Sequence, residues 1–109
     1  MNWKYEKGRI YGVDENNGLL AETTFNHRKN GEVDIDHTYV DPSLRGQGVA
    51  GSMMEVVAKY LRENRLKATA SCSYANSWLK KHRYEYADII SEDFDEEGTY
   101  PSCGIDGRH

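Results

Sequence analysis

The chain has 109 residues, of which 38% are hydrophobic and 29% are charged, so it can form one small core. Residues 1–90 carry 13 basic and 12 acidic side chains, whereas residues 91–109 carry six acidic side chains and one arginine. This balance excludes the basic stripe that nucleic-acid binding requires. No apolar run is long enough to span a membrane, and the first residues predict no secretory leader.

The charge distribution predicts one domain over residues 1–90, followed by an acidic and flexible tail over residues 91–109. The chain has two cysteines, Cys72 and Cys103, which are too few for a disulfide framework and lack metal-ligand spacing. We therefore expect a reduced, cytoplasmic protein that binds no metal, no nucleic acid and no membrane.

The first forty residues have the pattern of β-strands. Strands are predicted at Arg9–Val13, at residues 19–25 and at Val33–Val40, and Asn-Gly pairs mark the two turns between them. Hydrophobic and polar residues alternate through the third strand with a period of two. These three strands are expected to form an antiparallel meander.

The period then changes to that of a helix. Apolar residues recur at helical spacing at Ala50, Met53, Met54, Val57 and Leu61. Asn64 is predicted to end this helix in a left-handed conformation. A small-residue strand at residues 67–72 and a short helix at residues 75–82 follow. A strand, a helix and a strand in this order predict a right-handed crossover between parallel strands, so the fold class is a mixed α/β sheet.

The segment between the third strand and the first helix carries the strongest chemical signal. Gly46 and Gly48 offer no side-chain acceptor to cap the helix, so its first N–H groups lack an obvious partner. An anion such as a phosphate would satisfy them, and Arg45 could add a charged contact. The alternative is that the two glycines only shape a tight turn and that water satisfies the N–H groups. Neither the P-loop nor the dinucleotide-binding pattern fits the segment.

Residues 45–50 (Arg-Gly-Gln-Gly-Val-Ala) resemble the acetyl-CoA signature of the GNAT N-acetyltransferase superfamily, in which Arg or Gln is followed by two residues, Gly, one residue and Gly or Ala. Residues 37–40 and 71–74 narrow the resemblance to very short GNAT-like proteins with a conspicuous cysteine, and it covers about residues 5–90. The resemblance implies splayed parallel strands that admit the pantetheine arm. The predicted acetyl-CoA-binding residues are Val40, Arg45, Gly46, Gln47, Gly48, Val49 and Ala50, together with Tyr74 and Asn76. Tyr74 and Asn76 lie near the predicted cleft, where either could support a leaving thiolate.

Cys72 and His37 are the predicted catalytic residues. Cys72 lies just before a predicted helix, whose dipole would stabilise a thiolate, and it could accept the acetyl group; a small buried core residue is the alternative. His37 is predicted to share a strand face with Val33 and Ile35, with Thr38 on the other face. It could act as a general base near Cys72, or it could be a core histidine with a satisfied ring nitrogen.

Larger members of the superfamily have a helical segment between the first two strands, where this chain has only residues 14–18. Their usual carboxylate base is not evident either, and His37 could replace it. The resemblance therefore supports an N-acetyltransferase that moves acetyl from acetyl-CoA to an amine of a small molecule or a protein, with Cys72 as a possible carrier. The alternative is a non-catalytic acetyl-CoA-binding sensor or interaction module.

Overall fold

A computed structural model describes residues 1–94 of the chain. Within them, five strands form one sheet in the order β1-β2-β3-β4-β5, antiparallel except for the parallel pair of β4 and β5. The predicted mixed α/β fold with a strand–helix–strand crossover and a short final helix is confirmed. In chain order the elements are β1 (Asn2–Glu6), β2 (Arg9–Val13), β3 (Leu19–His27), β4 (Val33–Val40), α1 (Val49–Glu63), β5 (Ala68–Ala70) and α2 (Ser73–Lys81), with 3₁₀ turns at Pro42–Leu44 and Ala87–Ile89.

Strand β1 was missed by the sequence analysis. It forms a hairpin with β2 and lies at the edge of the sheet, with most of its side chains exposed. The hairpin turn requires glycine at position 8, because φ is +78° and an added Cβ would lie 2.9 Å from the carbonyl oxygen of Phe25. The aromatic residues Trp3 and Tyr5, which alternate with polar residues, were the available signal.

A β-bulge interrupts the pairing of β3 with β4. Thr24 pairs with His37 and Phe25 pairs with Ile35, so Asp36 is an extra residue in β4. Because side chains alternate between the faces of a strand, one extra residue reverses the facing of every residue after it.

The bulge corrects the predicted faces of β4. Val33 and Ile35 are buried before the bulge, and Thr38 and Val40 are buried after it. His37 is only partly buried and lies on the opposite face. The predictions that His37 shares the face of Val33 and Ile35, and that Thr38 lies on the other face, are therefore wrong.

One core joins the buried sheet face to both helices. The amphipathic helix α1 contributes one row of buried side chains, and α2 contributes Ala75, Trp78 and Leu79 to the same cluster. At about 25 cal/mol per Å² of apolar surface, this burial is the main force that fixes α1 and α2 against the sheet. The row from α1 consists of Ala50, Met53, Met54, Val57, Ala58 and Leu61.

The end of α1 differs from the prediction by one residue. Asn64 has a φ of −99°, whereas Arg65 is the left-handed residue, with a φ of +56°. The side-chain amide of Asn64 instead donates a hydrogen bond to the carbonyl oxygen of Tyr60 at 2.8 Å. Asn64 thus ends the helix with its side chain rather than with its backbone conformation.

The other face of the sheet is polar around the bulge. Asp36 accepts hydrogen bonds from the side chains of Thr24 and Asn26. Asp34 accepts them from the hydroxyls of Thr69 at 2.7 Å and Ser71 at 2.6 Å. These bonds link β3, β4 and β5 across the face on which His37 lies.

The first residues after the predicted domain boundary pack against the sheet. The Ser91 N–H donates to the carbonyl oxygen of Ala68 at 2.9 Å, and Ser91 is buried. Asp93 forms an ion pair with Arg28 at 3.2 Å. The rest of the predicted tail, residues 95–109 with Cys103, lies outside the described residues.

Candidate functional site

The segment between β4 and α1 begins with a capped turn. The carboxylate of Asp41 accepts hydrogen bonds from the hydroxyl and the N–H of Ser43, the latter at 3.0 Å. These two bonds, with a smaller contribution from the nearby Arg45 charge, hold the pKa of Asp41 below its usual value. Pro42 starts the 3₁₀ turn, where its fixed φ suits a first helical position. The capped turn sets the direction in which the chain enters the glycine pair.

Gly46 and Gly48 bring the chain from that turn into α1. Both have left-handed backbones, with φ of +81° and +77°, a region that favours glycine. Gly48 is the N-cap of α1 and, having no side chain, makes no side-chain capping bond. The side chain of Gln47 turns back and donates to the carbonyl oxygen of Ser43 at 3.1 Å. The two glycines therefore form the bend that the sequence predicted.

In the described part of the chain, a row of main-chain N–H groups at this bend has no protein acceptor. Within residues 1–94, no carbonyl or side-chain oxygen accepts a hydrogen bond from the N–H groups of residues 46–51. A Cβ added at Gly46, Gly48 or Gly51 would meet nothing within 4 Å, so the space above the row is open. α1 is 15 residues long, and the partial positive charge at its N-terminus adds to the attraction for an anion.

A groove runs from this bend along α2. It has a volume of about 370 Å³ and is lined by Gly48, Gly51, Tyr74, Ser77, Trp78, Lys81 and His82. The lining residues of α2 recur at i, i+3, i+4, i+7 and i+8, so they form one face of the helix. Burial raises the pKa of the Tyr74 phenol, which therefore stays a neutral hydrogen-bond donor at pH 7.

The parallel strands part near the start of α2. β4 and β5 pair only as far as Ile35 and Ala70, and the carbonyl oxygen of Ile35 then accepts from the N–H groups of both Ser71 and Cys72. β4 continues to Val40 without a partner from β5. Within the described residues the two strands thus part, as the family resemblance implied.

Cys72 lies at this gap as the N-cap of α2, and its side chain is fully buried. Its sulfur contacts the hydroxyl of Thr38 at 3.5 Å.

His37 does not share the environment of Cys72. It lies on the polar face of the sheet, opposite Thr24, while Thr38 and Cys72 lie on the buried face. The two predicted catalytic residues therefore flank the gap from opposite sides of the sheet. A catalytic role for His37 near Cys72 stays a prediction.

The other predicted cofactor-binding residues divide into two groups. The bend contains Arg45, Gln47, Val49 and Ala50 beside its glycines, and Tyr74 lines the groove. Asn76 is buried instead, and its amide donates to the carbonyl oxygen of Ala70 at 3.2 Å, which fixes α2 to the end of β5. The structure does not bring Asn76 to the groove.

Five residues of the groove were not predicted from the sequence. They are Gly51, Ser77, Trp78, Lys81 and His82. Helical spacing from Tyr74 would have identified the four on α2, and Gly51 is the third residue of α1 after a glycine N-cap. The ring of Trp78 contacts that of His82 at a tilt of 39°, with ring centroids 4.3 Å apart.

Two other kinds of site are absent from residues 1–94. No group of three or more metal-binding side chains is found there. The helices of this part of the chain are too short or too polar to cross a membrane.

Comparison with known proteins gives a consistent result. Residues 10–89, which include both the bend and α2, match the family of GCN5-related N-acetyl-transferases. The chain is also similar to the NMR solution structure of a GCN5-like candidate N-acetyltransferase from Staphylococcus aureus. That match has 42% identity and a TM-score of 0.65, and it covers 83% of this chain and 87% of that chain. No curated protein matches the sequence.

Proposed function

The chain belongs to the GCN5-related N-acetyltransferase family, and we propose that it binds acetyl-CoA and transfers the acetyl group to an amine. Acetyl-CoA supplies the acetyl group as an activated thioester. In this proposal the N–H groups of residues 46–51 hold the pyrophosphate, and the groove along α2 holds the nucleotide. The pantetheine arm lies along the unpaired part of β4, which ends at Val40. The acceptor is an amine of a small molecule or of a protein.

The row of N–H groups at residues 46–51 is the observation that carries the proposal. Each hydrogen bond from such a group to a charged oxygen contributes about 1.5–3 kcal/mol, so a few of them account for micromolar binding. Side chains at Gly46, Gly48 and Gly51 would occupy the space that a diphosphate needs. The residues present therefore fit the phosphate groups of CoA.

The residues at the gap support two forms of the transfer. In the direct form, the acceptor nitrogen bonds to the acetyl carbon as the carbon–sulfur bond breaks. His37 takes the proton from the nitrogen, and the leaving sulfur departs as a thiolate that is then protonated. Within residues 1–94, neither helix covers the polar face on which His37 lies, because the buried residues of both helices belong to the core on the other face. An amine approaches from that polar face in this proposal.

In the form that uses Cys72, the reduced thiolate of Cys72 bonds to the acetyl carbon and the CoA sulfur leaves. The acceptor nitrogen then displaces the sulfur of Cys72, and the proton of the nitrogen goes to His37. The contact between Thr38 and the sulfur of Cys72 would orient that sulfur. This form requires access to a fully buried side chain, so the arm must enter between β4 and β5.

A non-catalytic acetyl-CoA-binding module is the second candidate. The connection from β2 to β3 is a short turn, closed by the bond from the Asp14 N–H to the carbonyl oxygen of Gly18 at 2.9 Å. No helix is available there to form a wall of an acceptor site. This observation favours a protein that binds acetyl-CoA and signals its presence.

Turnover distinguishes the two candidates. The full chain is incubated with acetyl-CoA and a panel of amines, including polyamines and lysine peptides, and both CoA release and acetylated product are measured by chromatography and mass spectrometry. Transfer above the uncatalysed rate, lost in His37→Ala while acetyl-CoA still binds, supports the enzyme. Saturable binding of acetyl-CoA with no acetylated product from any of the amines contradicts the transferase and leaves the binding module.

The role of Cys72 is tested separately by intact-mass measurement. With a phosphine reductant present, we expect wild-type protein mixed with acetyl-CoA to gain one acetyl group, and Cys72→Ala to gain none. Cys103→Ala serves as the matched control and should be acetylated like the wild type. Equal turnover by Cys72→Ala and wild type would refute the covalent form and leave direct transfer.

A further inference from the structure

We infer that Lys81 makes the groove selective for a nucleotide that carries a 3′-phosphate, so that CoA binds more tightly than dephospho-CoA. This inference deepens the proposed function and rests on it. The inference concerns the end of the groove that is farthest from the gap between β4 and β5. At that end, the bend before α1 provides no further N–H groups.

The direction of α2 assigns the two ends of a bound CoA. Cys72 and Tyr74 lie at the start of the helix, beside the gap that would admit the thioester end. Lys81 is the last residue of α2, about 10 Å along the axis from Tyr74 at 1.5 Å per residue. Since the pyrophosphate would lie near Gly48 and Gly51, the groove leaves only the nucleotide for the Lys81 end.

The charges at that end favour an additional phosphate. Lys81 lines the groove and, among the bonds of residues 1–94, takes part in no hydrogen bond or ion pair. His82 also lines it, and its Nδ1 lies 3.9 Å from a carboxylate oxygen of Glu85. Lys80 and Arg83 add positive charge nearby but do not line the groove.

The wall beside Lys81 suits the base of the nucleotide. Trp78 is largely buried but lines the groove, and the ring of His82 lies against it at a tilt of 39°. An aromatic surface next to a cation is the usual combination for a purine that carries a phosphate. Lys81 is thus a groove cation with no ion pair within residues 1–94, at the end assigned to the ribose phosphate.

Calorimetric titration of the full chain with CoA and with dephospho-CoA tests this inference. Lys81→Ala is the variant, and Lys80→Ala is its matched control, because Lys80 is an exposed neighbour that does not face the groove. We expect wild type and Lys80→Ala to prefer CoA by about five- to tenfold, and Lys81→Ala to lose most of that preference. Salt near 1 M should reduce the preference of the wild type, because the phosphate and Lys81 are exposed to solvent.

Three outcomes are informative. A preference for CoA that disappears in Lys81→Ala and survives in Lys80→Ala supports the inference. An equal preference in all three proteins, or none in the wild type, overturns it while leaving acetyl-CoA binding intact. Failure of both ligands to bind the wild type overturns the proposed function itself.

Discussion

A substitution at Gly51 most clearly separates an effect on CoA binding from an effect on the stability of the fold. It is the third residue of α1, its φ is not positive, and a Cβ there would meet nothing within 4 Å. Replacing it with leucine should therefore stabilise the helix, by about 0.5–1 kcal/mol from helix propensity. The new side chain would cover the row of N–H groups. Loss of one N–H bond to a phosphate costs about 1.5–3 kcal/mol, so CoA should bind about 10- to 150-fold more weakly.

The measurement pairs urea unfolding with titration of CoA for Gly51→Leu and for Ser52→Leu. Ser52 is the exposed neighbour on α1 and does not line the groove, so its variant should bind CoA like the wild type. Unchanged CoA affinity in a folded Gly51→Leu protein would show that the phosphates bind elsewhere. A large loss of stability in that variant would contradict the open space above Gly51.

Two further predictions concern stability. Gly48→Ala should destabilise the protein by about 1 kcal/mol, because alanine is strained at a φ of +77°, whereas Gly51→Ala should stabilise it by a similar amount. Urea unfolding of the two variants measures both changes in the free energy of unfolding. Equal effects of the two substitutions would contradict the assigned backbone conformations. Bonds from Arg62 hold the pKa of Asp88 below 3.8, so the charged carboxylate stabilises the fold above about pH 4 and that contribution is lost as the pH falls through the lowered pKa. Wild type should exceed Asp88→Asn in stability at pH 7 and lose that advantage near pH 2, and a constant difference across this range would disprove the linkage.

Local patterns predicted most of the elements and the bend. The helical spacing of α1 and the glycines at positions 46 and 48 depend on neighbouring residues alone, and the structure agrees with both. Strand β1 was missed because it is short and lies at an exposed edge, where few of its side chains are buried.

The facing of β4 could not be predicted from its own sequence. The alternation of residues 33–40 is compatible with a regular strand, and the bulge at Asp36 depends on bonds to Thr24 and Asn26 of another strand. That single insertion moves His37 away from Cys72 and brings Thr38 to its sulfur. Non-local pairing therefore decided which polar residues flank the gap.

The residues that line the groove could not be predicted from the sequence either. Lys81 and Trp78 line it only because α1 and α2 contribute to one core, which brings the start of α1 beside a face of α2. The sequence indicates which residues share one face of α2, but not which element lies beside that face. Asn76 was placed in the site because it lies close to Cys72 in the sequence, at the predicted cleft, whereas its amide donates a hydrogen bond inside the fold.

The most direct test of acetyl-CoA binding is a titration followed residue by residue in amide NMR spectra. Saturable shifts are predicted for the N–H groups of residues 46–51 and for Tyr74 and Lys81 at the two ends of the groove, with much smaller shifts for the polar face near Asn26. Shifts that never saturate, or that cluster on the polar face and leave residues 46–51 unchanged, would contradict binding at the bend.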